Sequence, residues 1–551
     1  MSDKNNKRFL VTYANQEVSK ASAVKLLKVN QARMKEGVSF MSADRAALKD
    51  NVLHFEHLGV SVLELTSEEA KNLANQEGVL AVEEDAKMYA LDIEPGGFDA
   101  DYEPEVYINQ KEMEKLEGTQ ENIEGVRVKS CLRHKGASLE PINLLEVQEE
   151  DTVVGEKTVP EAESLPFNFE MLSDKNKLFA VESLADEKQT QLQAGGFTDG
   201  YKKAMMDMFS SMLDANLKQD ASEYCDEEAA SAQGIESVEA LATSYIPWNI
   251  KLVKAHKAWA KGYDGTGVKV AVLDTGIDYN HEDLCVYGGV DFSGSGDYMD
   301  HNGHGTHCAG IIAAREYRKK IVGVAPRAKL YAVKVLGNDG GGYTSDIIAG
   351  MEWCIDNGIQ VASMSLGGAQ GPSVAYSNAI SKCQLHGVVV VVAAGNSGHT
   401  NYFPWVCSPA NSVQAKTWSA SPIAVGAVDK RNQIADFSSR GHKYLPWNPV
   451  GCVAPGVSVR STFLNNGYTS MNGTSMACPH VAGLAALLWE RWGTNTWTYW
   501  IKKQILLGTY YSHSYLSNVE KGFGLINCDR VVSSYELNRF YDGLKEWYLF
   551  R

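Results

Sequence analysis

No stretch of this 551-residue chain stays apolar for the roughly 18 residues that a bilayer-spanning helix requires. The longest such run, Val388 to Ala394, has the length of a buried strand, so no membrane span is expected. The N-terminus passes from Met1-Ser-Asp-Lys-Asn-Asn-Lys-Arg8 directly to Phe-Leu-Val-Thr-Tyr13, without the apolar core of a secretory signal peptide. The expectation is an intracellular protein, or one exported by a non-standard route. No C-x-x-C pair occurs among the ten cysteines, which removes the usual zinc and dithiol-redox readings. Eight of the ten lie between Cys285 and Cys528, and without a signal peptide they are expected to be reduced, buried thiols. An H-E-x-x-H zinc motif is also missing.

What is present is a charge of −16 spread unevenly. Residues 92 to 240 hold 34 acidic and 13 basic side chains, whereas the rest of the chain is mildly basic. Phosphates would be repelled by such a block, so nucleic acid is not an expected partner. The block is read as an acidic insertion or linker, partly disordered, with one docking helix at Tyr201 to Leu217; a folded accessory domain is the alternative.

Before the block, residues 8 to 90 read as a small α+β unit. Phe9 to Tyr13 is a strand, Val18 to Met34 a helix, and His57 to Leu65 a strand with apolar alternation. Thr66-Ser-Glu-Glu69 is a capping box opening a helix through Asn75, and Val79 to Val82 is a last strand. The alternation is that of a ferredoxin-like fold. After the block, from Ile246, apolar strands at Val268 to Leu273, Leu330 to Leu336, Val361 to Leu366, Val388 to Ala393 and Ile423 to Val428 alternate with helical stretches. That pattern predicts an α/β domain with a mostly parallel sheet, where chemistry gathers at the carboxyl ends of the strands.

Four segments fall at such ends. Asp274, in Asp-Thr-Gly-Ile-Asp278, closes the first strand and can orient an imidazole, although taken alone the segment reads first as an Asx turn with Gly276. His304, in His-Gly-Thr-His307, is a candidate base; paired with His307 it could instead ligate a metal, but no third ligand accompanies the two. Asn396, in Ala-Ala-Gly-Asn-Ser-Gly398, can donate to a developing oxyanion, or it merely makes a turn. Ser475, in Met-Asn-Gly-Thr-Ser-Met-Ala-Cys-Pro-His-Val-Ala-Gly483, precedes a predicted helix whose free N–H groups favour negative charge. A serine hydroxyl needs both a base and an oxyanion donor to attack a carbonyl, and the joint pattern supplies both.

In the order Asp, His, Ser, these segments resemble the motifs of the subtilisin-like serine proteases (subtilases, peptidase S8). The resemblance runs from Ile246 to Asn527 and includes Val324-Ala-Pro326, Ser365-Leu-Gly-Gly368, Ile423-Ala-Val-Gly426 and Phe437-Ser-Ser439. It implies a serine endopeptidase working through an acyl-enzyme, with Asp274 orienting, His304 as base, Asn396 on the oxyanion and Ser475 attacking. No cofactor is implied for the chemistry. Residues 1–91, ending in Val79-Leu-Ala-Val-Glu-Glu-Asp85, are similar to the family's inhibitory propeptide, which implies a self-processing zymogen inhibited by its own propeptide. The maturation cut then falls between Leu91 and Tyr245. The implied order is propeptide 1–91, acidic insertion 92–240, catalytic domain 241–531 and a C-terminal tail 532–551.

Gly340, Gly341 and Gly342 on one side, and Ser365, Leu366, Gly367 and Gly368 on the other, match the family's cleft edges, where a polypeptide substrate would add as an extended strand. Between His399 and Ala420 the chain departs from the family pattern, placing Trp405, Cys407 and Trp418 near the first specificity pocket. Asp283 matches a family calcium ligand, and Asp429 would serve a second, weaker site. The loop completing the first site reads Arg315-Glu-Tyr-Arg-Lys-Lys320, whose cations repel a divalent ion, so strong calcium binding is not expected. Two other readings remain: a processing protease dedicated to one partner, and a non-catalytic peptide-binding protein.

Overall fold

The apolar run Val-Ala-Val-Leu at 270–273 forms the centre of the strand Lys269–Asp274, buried throughout because helices cover both sheet faces. Around it lies a seven-stranded, wholly parallel sheet. Its order is Cys452–Pro455, Ile423–Val428, Val389–Ala393, Val361–Met364, Lys269–Asp274, Lys329–Lys334 and Val286–Asp291. The first strand in sequence has later strands on both sides, so the sheet's topological switch point lies beside Asp274. A crevice opens there, outside the carboxyl ends.

The computed structural model describes residues 6–15, 18–43, 51–91, 104–113, 246–315, 321–368, 371–399, 405–412, 421–441, 450–493, 498–509 and 518–533. All of them lie in one compact unit, Met1–Lys115 with Met206–Arg551; the second unit, Leu116–Met205, contains none. The helix expected at Tyr201 to Leu217, the stretch Tyr535 to Arg551, Trp418 and residues 316–320 of the calcium loop lie outside the described residues. Among the described residues no helix is long and apolar enough to cross a membrane.

The small N-terminal domain has the ferredoxin-like arrangement. Lys7–Tyr13 lies between Val60–Leu65 and Val79–Glu84, antiparallel to both, and Val52–Phe55 pairs beyond Val60–Leu65. Two expected elements are shorter than their patterns. The helix of Val18 to Met34 is observed as Lys20–Leu27, because Lys28 turns left-handed at φ 52° and ends it. The strand of His57 to Leu65 begins only at Val60, after a turn through Gly59 at φ 60°. At Thr66 both halves of the capping box form: the Glu69 N–H donates to Thr66 Oγ1 at 3.2 Å, and the Thr66 N–H to Glu69 Oε2 at 2.9 Å.

Carboxylates hold this domain on the large one. Glu83 accepts the N–H groups of Val374 and Ala375 at 3.1 and 2.7 Å, capping the helix Val374–Leu385. Asp85 accepts from the Ser345 N–H and hydroxyl at 2.8 and 2.7 Å, at the start of Thr344–Asp356. Negative charge at a helix N-terminus meets unpaired N–H groups and the positive end of the dipole, so each contact is favourable. In the opposite sense, Glu352 of the large domain accepts the N–H groups of His57 and Leu58, both at 3.1 Å.

Candidate active site

Asp274 is the last residue of its strand and fully buried. Its Oδ1 accepts from the Thr275 N–H at 2.8 Å and lies 2.7 Å from His304 Nδ1. His304 opens the helix His304–Ala313, whose N-terminus is fixed by Asp300. This buried carboxylate accepts from the Gly303 and Thr306 N–H groups, both at 2.9 Å, from the Thr306 hydroxyl at 2.6 Å, and from the Thr275 hydroxyl at 3.0 Å. Asp300 thus ties the end of the aspartate's strand to the start of the histidine's helix. Gly305 permits their approach, since a Cβ there would lie 2.1 Å from the Gly276 carbonyl oxygen. Asp300 is not among the residues expected from sequence; its signal is the Asp-His-Asn-Gly-His run, an acidic residue one turn before a helix start.

Ser475 is the second residue of the buried helix Thr474–Trp492. Pro479 lies one turn further in and has no N–H to give the Ser475 carbonyl. That carbonyl instead accepts from the Ser365 hydroxyl at 2.9 Å and the Cys308 thiol at 3.5 Å, which tethers the serine to the cleft edge and to the histidine helix. Asn396 follows the strand Val389–Ala393. Its Oδ1 accepts from the Thr474 N–H and hydroxyl, both at 2.8 Å, so its amide nitrogen is turned towards the serine's cleft. The orienting role of Thr474 could have been suspected from its place beside Ser475.

The cleft holds a segment of the chain itself. Lys87–Ala90 lies antiparallel between Gly341–Tyr343 and Leu366–Gly367, with Gly342 opposite Met88 and Gly367 opposite Tyr89. The Ala90 N–H donates to the Gly340 carbonyl at 2.9 Å and the Leu91 N–H to the Ser365 carbonyl at 3.3 Å. Gly340, Gly341, Gly342, Ser365, Leu366 and Gly367 therefore all line the inserted strand. Gly368 does not: its N–H and carbonyl pair with Ser408, because the strand turns away there. Leu91, which the sequence marked only as a boundary, ends the insertion fully buried. Its carbonyl oxygen accepts from the Asn396 amide at 2.7 Å and from the Ser475 hydroxyl at 2.8 Å. Gly473 makes room: at φ 152°, a Cβ would stand 2.9 Å from that same oxygen.

Burial disfavours the charged form of two neighbouring histidines. Burial pushes His307 down to about 3, and its Nε2 lies 3.2 Å from the Thr469 carbonyl. Burial likewise lowers His480 to about 4, between Asn249 and the Met476 carbonyl. Asp274, His304 and Cys308 bring ligand atoms within 4.8 Å of one another, but the contacts already described engage all three residues.

Among the described residues neither expected calcium ligand belongs to a cluster of three or more His, Cys, Asp or Glu side chains. Asp283 is buried; its Oδ2 accepts from the Tyr468 hydroxyl at 2.5 Å and its Oδ1 has no hydrogen-bond partner. Asp429 Oδ1 caps a turn, accepting from the Arg431 and Gln433 N–H groups at 2.8 and 2.9 Å.

Residues 265–524 match the model of the Subtilase family. Over 250 residues the chain is 48% identical to Subtilisin DY of Bacillus licheniformis, covering 86% of that protein and 45% of this one. The chain belongs to the subtilase family. Other subtilases it resembles are Subtilisin E of Bacillus subtilis and Alkaline elastase YaB of a Bacillus species. The first is 44% identical over 285 residues (70% of that protein, 51% of this chain), and the second 41% over 326 residues (80% and 59%). This subtilase is accordingly a serine endopeptidase with polypeptide substrates, and its chemistry needs no cofactor.

Proposed function

We propose that the chain is a zymogen whose Ser475 hydrolyses its own Leu91–Asp92 peptide bond and then other polypeptides in the same cleft. The observation that carries this reading is the Leu91 carbonyl, whose oxygen lies 2.7 Å from the Asn396 amide nitrogen and 2.8 Å from Ser475 Oγ. A hydroxyl rotates freely, so the Ser475 proton can turn from that oxygen to the His304 imidazole as attack begins. Ser475 Oγ bonds to the Leu91 carbon while His304 takes the proton. Asp274, 2.7 Å from Nδ1, stabilises the imidazolium. The oxyanion stays on the Asn396 amide, a donor fixed beforehand by Thr474. His304 passes the proton to the Asp92 nitrogen, which leaves with it, and water hydrolyses the Leu91 ester by the same route reversed.

Residues 1–91 are then both first substrate and inhibitor: Lys87 to Leu91 fills the cleft of the uncut chain, and the same strand pairing would hold it there after the cut. N-terminal sequencing tests this directly. The wild-type protein should yield a chain beginning at Asp92, and Ser475→Ala should stay whole. Shortening of pure Ser475→Ala would overturn self-cleavage, and absence of fluorophosphonate labelling at Ser475 after removal of the propeptide would favour the non-catalytic reading.

A further inference from the structure

From Pro104 the chain, already past the Leu91–Asp92 bond, is back on the small domain. Val106–Ile108 pairs antiparallel with Val79–Glu84, with Ala81 opposite Ile108, Val82 opposite Tyr107 and Glu83 opposite Val106. The ladder extends at both ends: the Glu84 N–H donates to the Glu105 carbonyl at 2.7 Å, and the Asn109 N–H to the Leu80 carbonyl at 2.9 Å. Side chains lock the register. The Glu105 carboxylate gathers Lys7 Nζ at 3.0 Å and the Ser67 and Tyr107 hydroxyls, each at 2.9 Å. The buried Asn109 donates from its side chain to the Gln76 carbonyl at 2.9 Å. The Tyr107 ring packs on the core that includes Phe9, Val11 and Val82.

Without this strand, Val79–Glu84 would be a bare sheet edge, the kind of surface that captures an extended segment. We infer that residues 104–113 are a second binding site between enzyme and inhibitor: the enzyme chain holds its own cleaved propeptide by completing the propeptide's sheet. Hydrolysis at Leu91 leaves residues 104–113 on the enzyme side of the cut and in the inhibitor's fold. Its first site is the cleft and the second the added strand, so leaving one keeps the fragment beside the other at high effective concentration. The same strand, Val79–Glu84, carries Glu83, which caps the enzyme helix Val374–Leu385. Loss of the added strand would therefore loosen the contact from behind. Processing at Leu91 makes a two-fragment complex, and activity waits on release of residues 104–113 from the sheet.

This inference rests on the zymogen reading, so its test uses a cut that Ser475 does not make. In full-length Ser475→Ala, a recognition sequence for an exogenous site-specific endoprotease replaces residues 94–100. After that cut, dissociation of the N-terminal fragment is followed by size-exclusion chromatography across a dilution series. The fragment should stay bound, and Glu105→Arg with Tyr107→Pro should raise its dissociation constant at least tenfold. Should that pair unfold the small domain, Glu105→Gln, which keeps size and removes charge, should still raise it about threefold. Equal dissociation constants in parent and variants would overturn the added strand as a binding site. Failure of the zymogen reading would appear separately, as wild-type protein lacking an Asp92 N-terminus.

Discussion

The Asn396 side-chain amide donates to the carbonyl oxygen of Leu91 at 2.7 Å across 305 positions of sequence. A donor already aimed at that oxygen stabilises negative charge without reorganising during the reaction. Asn396→Ala should therefore slow appearance of the Asp92 N-terminus by about 10²–10³-fold, while fluorophosphonate labelling of Ser475 persists. An unchanged processing rate would remove Asn396 from the oxyanion site.

Cys407 faces the pocket that receives Leu91. A Cβ built on Gly367 would lie 2.5 Å from Cys407 Sγ and 3.2 Å from Leu91 Cδ1, which places the thiol and the leucine methyl against the same glycine. Burial pushes this thiol up to about 12, so it acts as a neutral, apolar wall. Removing it in Cys407→Gly should raise kcat/KM for peptides cut after Phe, relative to those cut after Leu, by about tenfold, the worth of one or two methylenes of pocket. The comparison is made on processed enzyme, and a constant ratio would show that the thiol does not bound the pocket.

Five of the seven strands of the large sheet and the segments around Asp274, His304, Asn396 and Ser475 were legible because each carries its own local chemistry: an apolar run, a turn residue, a helix start. The sheet's two outermost strands, Val286–Asp291 and Cys452–Pro455, were not. The cleft edges were legible through the resemblance to the family, apart from Gly368, which pairs with Ser408 instead. Long-range partners were not. Thr474 turning Asn396 and Asp300 joining two segments depend on contacts that no local periodicity encodes. The return of Val106–Ile108 was hidden for a different reason. Three residues inside an acidic stretch give no period, and their strand exists only because a sheet edge accepts it.

Docking of the small domain should depend on pH through Glu352. Burial raises its carboxyl to about 7, well above the ordinary value, outweighing the His57 charge and the His57 and Leu58 N–H groups, which lower it. His57 is raised as well, chiefly by its hydrogen bond to Asp356. Groups whose pKa rises on docking bind more protons in the docked state. Their contribution is complete below their ordinary values and is lost as pH climbs through the raised ones. Ser475→Ala protein should thus lose thermal stability between pH 5 and 8, and adding Glu352→Gln should flatten that profile. Parallel profiles for the two proteins would count against Glu352.

Asp300 offers the sharpest test of positioning. Its carboxylate accepts from the Thr275 hydroxyl next to Asp274 and from the Gly303 and Thr306 N–H groups flanking His304, so it sets the spacing of two residues it does not touch. Asp300→Asn keeps the shape but replaces one acceptor oxygen with a donor, which must face one of those N–H groups. The expected outcome is a loss of about 1–3 kcal/mol of stability. Self-processing should slow by about 10²-fold, the cost of misplacing a base by about 1 Å. Processing kinetics on protein shown by circular dichroism to be folded separate the two effects. A variant that is less stable yet processes at the wild-type rate would make Asp300 a scaffold residue only, and the Asp274–His304 geometry would then have to be held by the strand and helix alone.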